Sequence, residues 1–239
     1  MMKTQSNKYE PLPLIDKPGV DTLKRLVSKR WPEALMNTAD SSSTPSFITG
    51  IASLDRLFPA GGIPYGQLME ITGGVSSGKT TLLLRMLAAL TVRQTVAYVD
   101  FSGSFFPAGA ISTGVDPDRL LVVTPKSLLS GLRTAELLFR HCMADIIVFD
   151  LLGCREPLPF TLLHRLRQQT TRARGLVIFL TENNSDIVPT SMVALRLEIV
   201  RGDHNRFAVT ITKSRFCKEG MEVEVTFYDP QTNRLRAHS

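Results

Sequence analysis

The sequence has few cysteines and lacks an apolar run long enough to cross a bilayer. Cys142, Cys154 and Cys217 are the only three in 239 residues, an odd number without the spacing of a metal site. We therefore expect reduced thiols in a reducing compartment. Charged residues interrupt the apolar stretches before they reach the roughly 18 residues of a membrane helix. These absences argue against a disulfide-stabilised or membrane-spanning protein.

The N-terminus also lacks the apolar stretch of a secretory signal peptide. Its first twenty residues, MMKTQSNKYEPLPLIDKPGV, mix polar residues with proline and contain no hydrophobic core segment. We therefore expect a cytoplasmic protein. The 28 lysines and arginines exceed the 22 acidic residues and give a formal charge of +6, which weakly favours a polyanionic partner.

A change in composition near residue 47 predicts two regions. Residues 1–46 contain a proline-rich end, a helical pattern at 21–31 and the polar run NTADSSSTPS, which is typical of a linker. Residues 47–239 are long enough to form one domain. Two interpretations of the short helix remain open: it packs on this domain, or its basic face binds a partner or nucleic acid.

The order of apolar segments predicts an α/β fold. Strand patterns at residues 67–72, 95–100, 120–124, 145–150 and 175–180 alternate with helical patterns, the clearest at 79–90 and 126–143. DIIVFD and GLVIFL are too hydrophobic to have an exposed side, as in a mostly parallel sheet flanked by helices. VALRLEIVR, FAVTITKSR and EVEVTFY then follow without helices between them. They predict antiparallel strands on one edge of the sheet.

Residues 73–80, GGVSSGKT, match the phosphate-binding loop pattern G-x-x-x-x-G-K-[ST] at every position. The motif lies between a predicted strand and a predicted helix, which is the context that it requires. Glycines let backbone N–H groups surround a phosphate, and the helix N-terminus adds positive potential. Lysine can reach the β- and γ-phosphates, and threonine can ligate Mg²⁺. The predicted nucleotide-binding residues are Gly73, Gly74, Val75, Ser76, Ser77, Gly78, Lys79, Thr80 and Thr81.

Asp150 is a candidate second ligand for the metal. It ends an apolar strand roughly 70 residues after the loop, where proteins with this loop keep a carboxylate that helps to hold Mg²⁺. By itself, an aspartate at the end of a strand is more often a turn or cap residue. Together with the loop, it predicts that Thr80 and Asp150 hold Mg²⁺.

Several segments resemble bacterial RecA recombinases, in the same order along the chain. The most specific is ITGIASLDRLFPAGGIPYGQLMEITGGVSSGKTTLLLRMLAA, followed by VAYVDFSGSFFPAGAISTGVDPDRLLV, ADIIVFD, LVIFL, VALRLEIVR and ITKSR. The resemblance covers residues 47–228 and implies a RecA-like P-loop fold that binds ATP and Mg²⁺. It leaves the N-terminal region uncovered.

The departures from the RecA pattern concern the catalytic parts. Ser102 stands where RecA has its catalytic glutamate, two residues beyond Asp100, and a serine hydroxyl is a far poorer base at neutral pH. Phe106 and Gly109 replace the aspartate and tyrosine that hold adenine. Glu182 replaces the glutamine that senses the γ-phosphate, and it is the best substitute for the missing base.

The two segments that line DNA in RecA are also short, LLGCREPLPF and NNSDIVPTS. A RecA-like core with these changes resembles the ImuA type, which accompanies a Y-family polymerase relative in damage-inducible mutagenesis. That resemblance implies an accessory factor of translesion synthesis and the SOS response. Archaeal RecA-like paralogues and KaiC-like ATPases share the core and remain alternatives.

Two groups of basic residues are candidate contacts with macromolecules. We expect the DNA to be single-stranded. The candidates for phosphate contacts with it are Arg155, Arg165, Arg167, Arg172 and Arg174. A solvated helix face is the alternative. Lys213 and Arg215 match a lysine pair that reaches the neighbouring subunit's nucleotide in RecA filaments, which implies docking to RecA or to a second copy. An ordinary surface pair is the alternative.

The sequence thus leaves two functions from different classes. One is an ATP-binding accessory protein that hydrolyses slowly or not at all. The other is a DNA-dependent ATPase that has recruited another carboxylate, with Glu182 as the candidate.

Overall fold

The computed structural model describes residues 45–183, 185–202 and 206–226. Residues 1–44, with the predicted N-terminal helix and most of the predicted linker, lie outside the described residues, as does the end of the last predicted strand. The division into an arm and a domain therefore stays a prediction.

An eight-stranded sheet forms the centre of the described domain. Its spatial order is β10-β9-β8-β3-β7-β6-β4-β5, and the six strands from β8 to β5 are parallel. They are β3 (Gln67–Gly73), β4 (Val96–Asp100), β5 (Leu120–Val123), β6 (Ile146–Asp150), β7 (Leu176–Leu180) and β8 (Leu195–Arg201).

Two antiparallel strands extend the sheet beyond β8: β9 (Arg206–Ser214) and β10 (Glu222–Thr226). A separate two-stranded sheet joins β1 (Ser46–Phe47) to β2 (Ile63–Pro64). The predicted α/β fold with antiparallel edge strands is therefore confirmed.

Helices cover both faces of the sheet. They are α1 (Ala52–Asp55), α2 (Lys79–Leu90), α3 (Pro107–Thr113), α4 (Leu128–Arg140) and α5 (Phe160–Ala173). On one face, Leu82 and Met86 of α2 share a core with Ile71 of β3. On the other, Leu163 of α5 and Leu132 of α4 share a second core with residues of β6 and β7. Alternate residues of β3, β4, β6 and β7 supply the two cores.

The helix predicted at 126–143 is shorter at both ends. Ser127 is its N-cap, since the Ser127 side chain accepts a hydrogen bond from the Ser130 N–H at 3.2 Å. The helix ends at Arg140, and Cys142 then takes a left-handed φ of 52°. Within the described ranges, no helix combines the length and apolar character needed to cross a membrane.

A buried carboxylate fastens three neighbouring strands together. Glu70 on β3 lies 2.6 Å from both Nε and Nη2 of Arg196 on β8. Its other oxygen accepts a hydrogen bond at 2.7 Å from the hydroxyl of Thr181, which directly follows β7. A carboxylate in the interior needs such partners to offset its desolvation. This network fixes the chain at Thr181 and therefore the start of the segment that carries Glu182.

Candidate functional site

The candidate site lies at the carboxyl edge of the parallel strands, where several polar side chains meet. Asp100 at the end of β4 is in register with Asp150 at the end of β6, and Asp150 is in register with Leu180 of β7. Glu182 follows two residues after Leu180. Because parallel strands end at the same edge, residues far apart in sequence reach one place.

The phosphate-binding loop connects β3 to α2 in a conformation that depends on glycine. Gly78 has a φ of 93°, and a Cβ there would lie 2.6 Å from the Phe207 ring of β9. A Cβ on Gly73 would lie 2.5 Å from Ser77 Oγ and 2.6 Å from the Ile199 carbonyl oxygen of β8. A larger residue at either position would move the loop away from β8 and β9.

The loop presents donors that fit an oxyanion. From residue 74 to residue 81, Ser77 is the only described residue whose backbone N–H has a protein acceptor, the Gly74 carbonyl at 3.2 Å. The other N–H groups include those of the first turn of α2, where the helix dipole is positive. Ser77 Oγ is buried and has no hydrogen-bond partner among the described residues. These groups fit the phosphates of a nucleotide.

Lys79 is the buried cation of this loop. Its Nζ donates hydrogen bonds to the carbonyl oxygens of Gly73 at 2.9 Å and Gly74 at 2.6 Å. Burial lowers the pKa of Lys79, and the nearby carboxylates of Glu182 and Asp150 oppose this shift. The ammonium group is therefore held by the loop carbonyls and influenced by two acids that follow or end other strands.

Asp150 lies beside Lys79 and carries its own hydrogen bonds. The Tyr98 hydroxyl donates to Asp150 Oδ2 at 2.7 Å, and the Leu152 N–H donates to Oδ1 at 3.2 Å. Burial raises the pKa of Asp150, these hydrogen bonds lower it, and the Asp100 charge raises it further. A carboxylate in this setting gains from a nearby cation. Asp150 and the hydroxyl of Thr80 would be the residues that hold Mg²⁺.

The loop after β4 is wrapped around the Asp100 carboxylate. Oδ1 accepts from the Ser102 N–H and hydroxyl at 3.1 Å each, and from Gly103 N–H at 2.9 Å. Oδ2 accepts from the Phe105 N–H at 2.8 Å. Burial by itself would raise the pKa of Asp100, but these donors outweigh it and lower the pKa. Asp100 therefore organises this loop as an ionised carboxylate.

The Ser102 hydroxyl, at the position where RecA has its catalytic glutamate, takes part in this loop structure. Besides its bond to Asp100, Ser102 Oγ lies 2.6 Å from Ser104 Oγ. Phe106 directly precedes α3 and is 70% exposed. Its ring lies over Gly109, since a Cβ on Gly109 would be 2.7 Å from the ring. Neither Phe106 nor Gly109 lines the cleft beside the loop.

A cleft of about 370 Å³ adjoins the phosphate-binding loop. Residues 75–81 form one wall, and Leu152, Glu182, Arg201 and Phe207 complete the lining. Glu182 was expected from the sequence. The sequence did not identify the other three lining residues, Leu152, Arg201 and Phe207. They lie at or near the ends of β6, β8 and β9, and no local motif marks them.

The predicted DNA-contact arginines do not lie on one face. Arg165 and Arg172 are within about 20° of each other around α5, whereas Arg167 is about 140–160° away from both. Arg174 has a left-handed φ of 54° beyond the helix end, and Arg155 lies in the loop after β6. Arg165 forms an ion pair with Glu136 of α4. The contact with DNA stays a prediction, and Arg167 would make it from a different side of α5 than Arg165 and Arg172.

Lys213 and Arg215, the predicted interface pair, form hydrogen bonds within their own chain. Lys213 Nζ donates to the Thr190 carbonyl oxygen, and Arg215 Nη2 donates to the Ser191 carbonyl oxygen at 2.7 Å. The pair thus anchors the segment between β7 and β8. Its role in docking stays a prediction.

Comparison with known proteins agrees with this geometry. The model of the RecA N-terminal domain family matches residues 21–158, which is more than half of the chain. The chain therefore belongs to the RecA N-terminal domain family.

Among similar curated proteins, Protein RecA of Marinobacter nauticus is 37% identical over 127 residues, which cover 52% of this chain and 37% of the relative. Protein RecA of Caldanaerobacter subterraneus subsp. tengcongensis is 33% identical over 153 residues, covering 56% and 45%. Protein RecA of Bifidobacterium breve is 39% identical over 110 residues, covering 46% and 28%. The chain spans less than half the length of these relatives.

Proposed function

We propose that this protein is an ATP-binding accessory factor of DNA repair, with slow or absent ATP hydrolysis. The observation that carries the proposal is the state of Ser102, whose hydroxyl is hydrogen-bonded to Asp100 and Ser104 beside an otherwise complete phosphate-binding loop. The loop supports nucleotide binding, and the missing glutamate supports weak hydrolysis.

Binding of Mg²⁺ and ATP is supported by the groups around the loop. Backbone N–H groups and Lys79 would hold the phosphates, while Thr80 and Asp150 would hold the metal. Bound Mg²⁺ would neutralise charge on the phosphate oxygens. The protein's own contribution is to orient these donors and to place Lys79 near Asp150, where its charge opposes the effect of burial on the Asp150 pKa.

Slow hydrolysis follows from the lack of a placed general base. A positioned carboxylate typically supplies about 10²–10⁴-fold in rate by accepting a proton from water. The Ser102 hydroxyl donates a hydrogen bond to Asp100. It cannot act as a general base for the attacking water at neutral pH. Bound nucleotide would then stabilise one conformation of the protein instead of driving repeated cycles of hydrolysis.

The biological setting that we propose is damage-induced mutagenesis, in the manner of ImuA-type proteins. The segments that would line DNA are short: ten residues in LLGCREPLPF and nine in NNSDIVPTS. The proposed partners are a Y-family polymerase-like protein, single-stranded DNA, and RecA or a second copy of this chain. Lys213 and Arg215 are the proposed docking residues for a RecA fold.

An active DNA-dependent ATPase is the second candidate, and Glu182 favours it. This carboxylate lines the cleft beside the loop and interacts with Lys79. A base must approach the attacking water, and a carboxylate in this cleft is the nearest substitute for the missing glutamate.

Steady-state ATP turnover decides between the two candidates. We expect slow turnover by the parent protein, with or without single-stranded DNA, and no change in Glu182→Gln. Fast, DNA-stimulated turnover that disappears in Glu182→Gln would reject the accessory role in favour of the ATPase. Co-purification from cells tests the polymerase partner, and its absence from the recovered complex would reject that assignment.

A further inference from the structure

The end of β8 lies directly beside the phosphate-binding loop. Ile199 of β8 is in parallel register with Gly73, the last residue of β3. The Ile199 carbonyl oxygen is so close that a Cβ on Gly73 would lie 2.6 Å from it. Arg201 is the last residue of β8, two positions further along. A parallel strand continues past its neighbour by about 3.3 Å per residue, so Arg201 is level with the loop.

The Phe207 ring fixes this edge of the sheet against the loop. It lies within 2.6 Å of the position that a Cβ on Gly78 would take, and it is almost fully buried. The contact joins β9 to the first turn of α2. Because β8 and β9 pair along seven residues, from Leu195 to Arg201, a rigid element carries Arg201.

Arg201 faces the same cleft as Lys79 and Glu182. Among the described residues, no carboxylate lies within 4.0 Å of its guanidinium group, whereas Arg196 on the same strand is paired with Glu70. Lys79 is hydrogen-bonded to two loop carbonyls, and Glu182 is an acid. The cleft therefore contains a second cation with a planar set of donors that suits a phosphate.

We propose that Arg201 binds the β- and γ-phosphates of the nucleotide from within the same chain, opposite Lys79. This inference rests on the proposed nucleotide function and adds a second residue, besides Lys79, that would distinguish a triphosphate from a monophosphate. The guanidinium group would add positive charge to the cleft from β8, in addition to that of Lys79 from the loop. A neighbouring subunit is not required for this contact.

Calorimetric titration with Mg²⁺-ATP, Mg²⁺-ADP and AMP tests the proposal. Arg201→Gln should weaken ATP binding by about tenfold, in the range of a charge-assisted contact, and should change AMP binding less than twofold. Arg201→Lys should keep part of the affinity because it keeps the charge. Arg133→Gln, an exposed arginine on α4, is the matched control and should bind as the parent does.

The outcomes separate this inference from the proposed function. If the parent protein does not bind Mg²⁺-ATP, or if Lys79→Ala binds it equally well, the nucleotide function itself is rejected. If the parent binds, Lys79→Ala is weakened and a folded Arg201→Gln binds ATP like the Arg133→Gln control, only the assignment of Arg201 is overturned. An equal loss for ATP and AMP would also overturn it, because the effect would then lie outside the terminal phosphates.

Discussion

Arg165 Nη2 lies 2.7 Å from Glu136 Oε2 and joins the two helices that cover one face of the sheet. The two residues are 29 positions apart, and their exposures differ, since the side chain of Glu136 is 7% exposed and that of Arg165 is 57% exposed. Glu136 Oε1 has no hydrogen-bond partner among the described residues. Arg165 therefore neutralises a nearly buried acid, which separates it from the other arginines of α5.

Replacing Arg165 should destabilise the protein. Arg165→Gln would leave the nearly buried Glu136 carboxylate without its charge partner, and we expect a loss of about 1–2 kcal/mol in the free energy of unfolding. Urea denaturation measures this loss. Arg167→Gln is the matched control on the same helix and should stay within about 0.5 kcal/mol of the parent. Equal stability of both variants would show that the pair contributes nothing.

The DNA prediction should be tested with Arg167 and Arg172, for which the described residues provide no ion-pair partner. Reversing Arg167 and Arg172 to glutamate should lower affinity for single-stranded DNA of every sequence and flatten its salt dependence. Reversing Arg165 would instead place two acids together at Glu136. Fluorescence anisotropy at several salt concentrations measures the slopes.

The matched control for this experiment reverses Arg56 and Arg93, two exposed arginines in the segments that follow α1 and α2. It makes the same change in net charge at a distant surface. If both double variants lose affinity to the same extent, net charge is responsible and α5 is a solvated face.

Removal of the Lys79 ammonium should weaken nucleotide binding. Lys79→Ala deletes a charge-assisted contact worth about 1.5–3 kcal/mol, so we expect Mg²⁺-ATP affinity to fall tenfold or more. Calorimetry measures the affinity, and circular dichroism checks the fold, since Nζ also donates to the Gly73 and Gly74 carbonyls. A folded variant that binds as tightly as the parent would contradict the assignment of the loop.

Replacing Ser102 should lower the stability of the fold and leave ATP turnover unchanged. Ser102→Ala removes the hydroxyl that donates to Asp100, and we expect a loss of about 1 kcal/mol in the free energy of unfolding. ATP turnover should stay at the parent's rate. A tenfold or greater fall in turnover with unchanged stability would instead show that the hydroxyl takes part in catalysis.

Asp100 should stabilise the fold in a pH-dependent manner. Its pKa is lowered in the folded protein by hydrogen bonds from Phe105, Ser102 and their neighbours, which exceed the opposing effect of burial. The stabilisation of the fold by Asp100 is therefore complete above the unfolded-state pKa of about 4. It is lost as the pH falls through the lowered pKa of the folded state.

Asp100→Asn tests this contribution through urea denaturation at several pH values. We expect the variant to be about 1–3 kcal/mol less stable than the parent at neutral pH, with a difference that shrinks in acid. Asp118→Asn, at an exposed aspartate, is the control and should follow the parent. A difference that stays constant with pH would mean that the carboxylate charge is not the cause.

Local patterns were sufficient for much of the fold and for one part of the site. The helix predicted at 79–90 has those bounds in the structure, because a phosphate-binding loop before it and a clear apolar face both specify it. The apolar segments of β6 and β7 predicted buried parallel strands because they are too hydrophobic to have an exposed side. The helix at 126–143 was less well bounded, since Ser127 caps it by a side-chain hydrogen bond that a periodic pattern does not show.

The sequence by itself determined the residues whose chemistry is local: the glycines, Lys79 and Thr80 of the loop, and the absence of a glutamate at Ser102. The tertiary structure alone decided which residues from distant strands meet them. Parallel strands end at one edge, so sheet order places Asp150, Glu182 and Arg201 around the loop. Helix packing likewise pairs Arg165 with Glu136. Such contacts depend on strand order and register, which the spacing of residues along one chain does not contain.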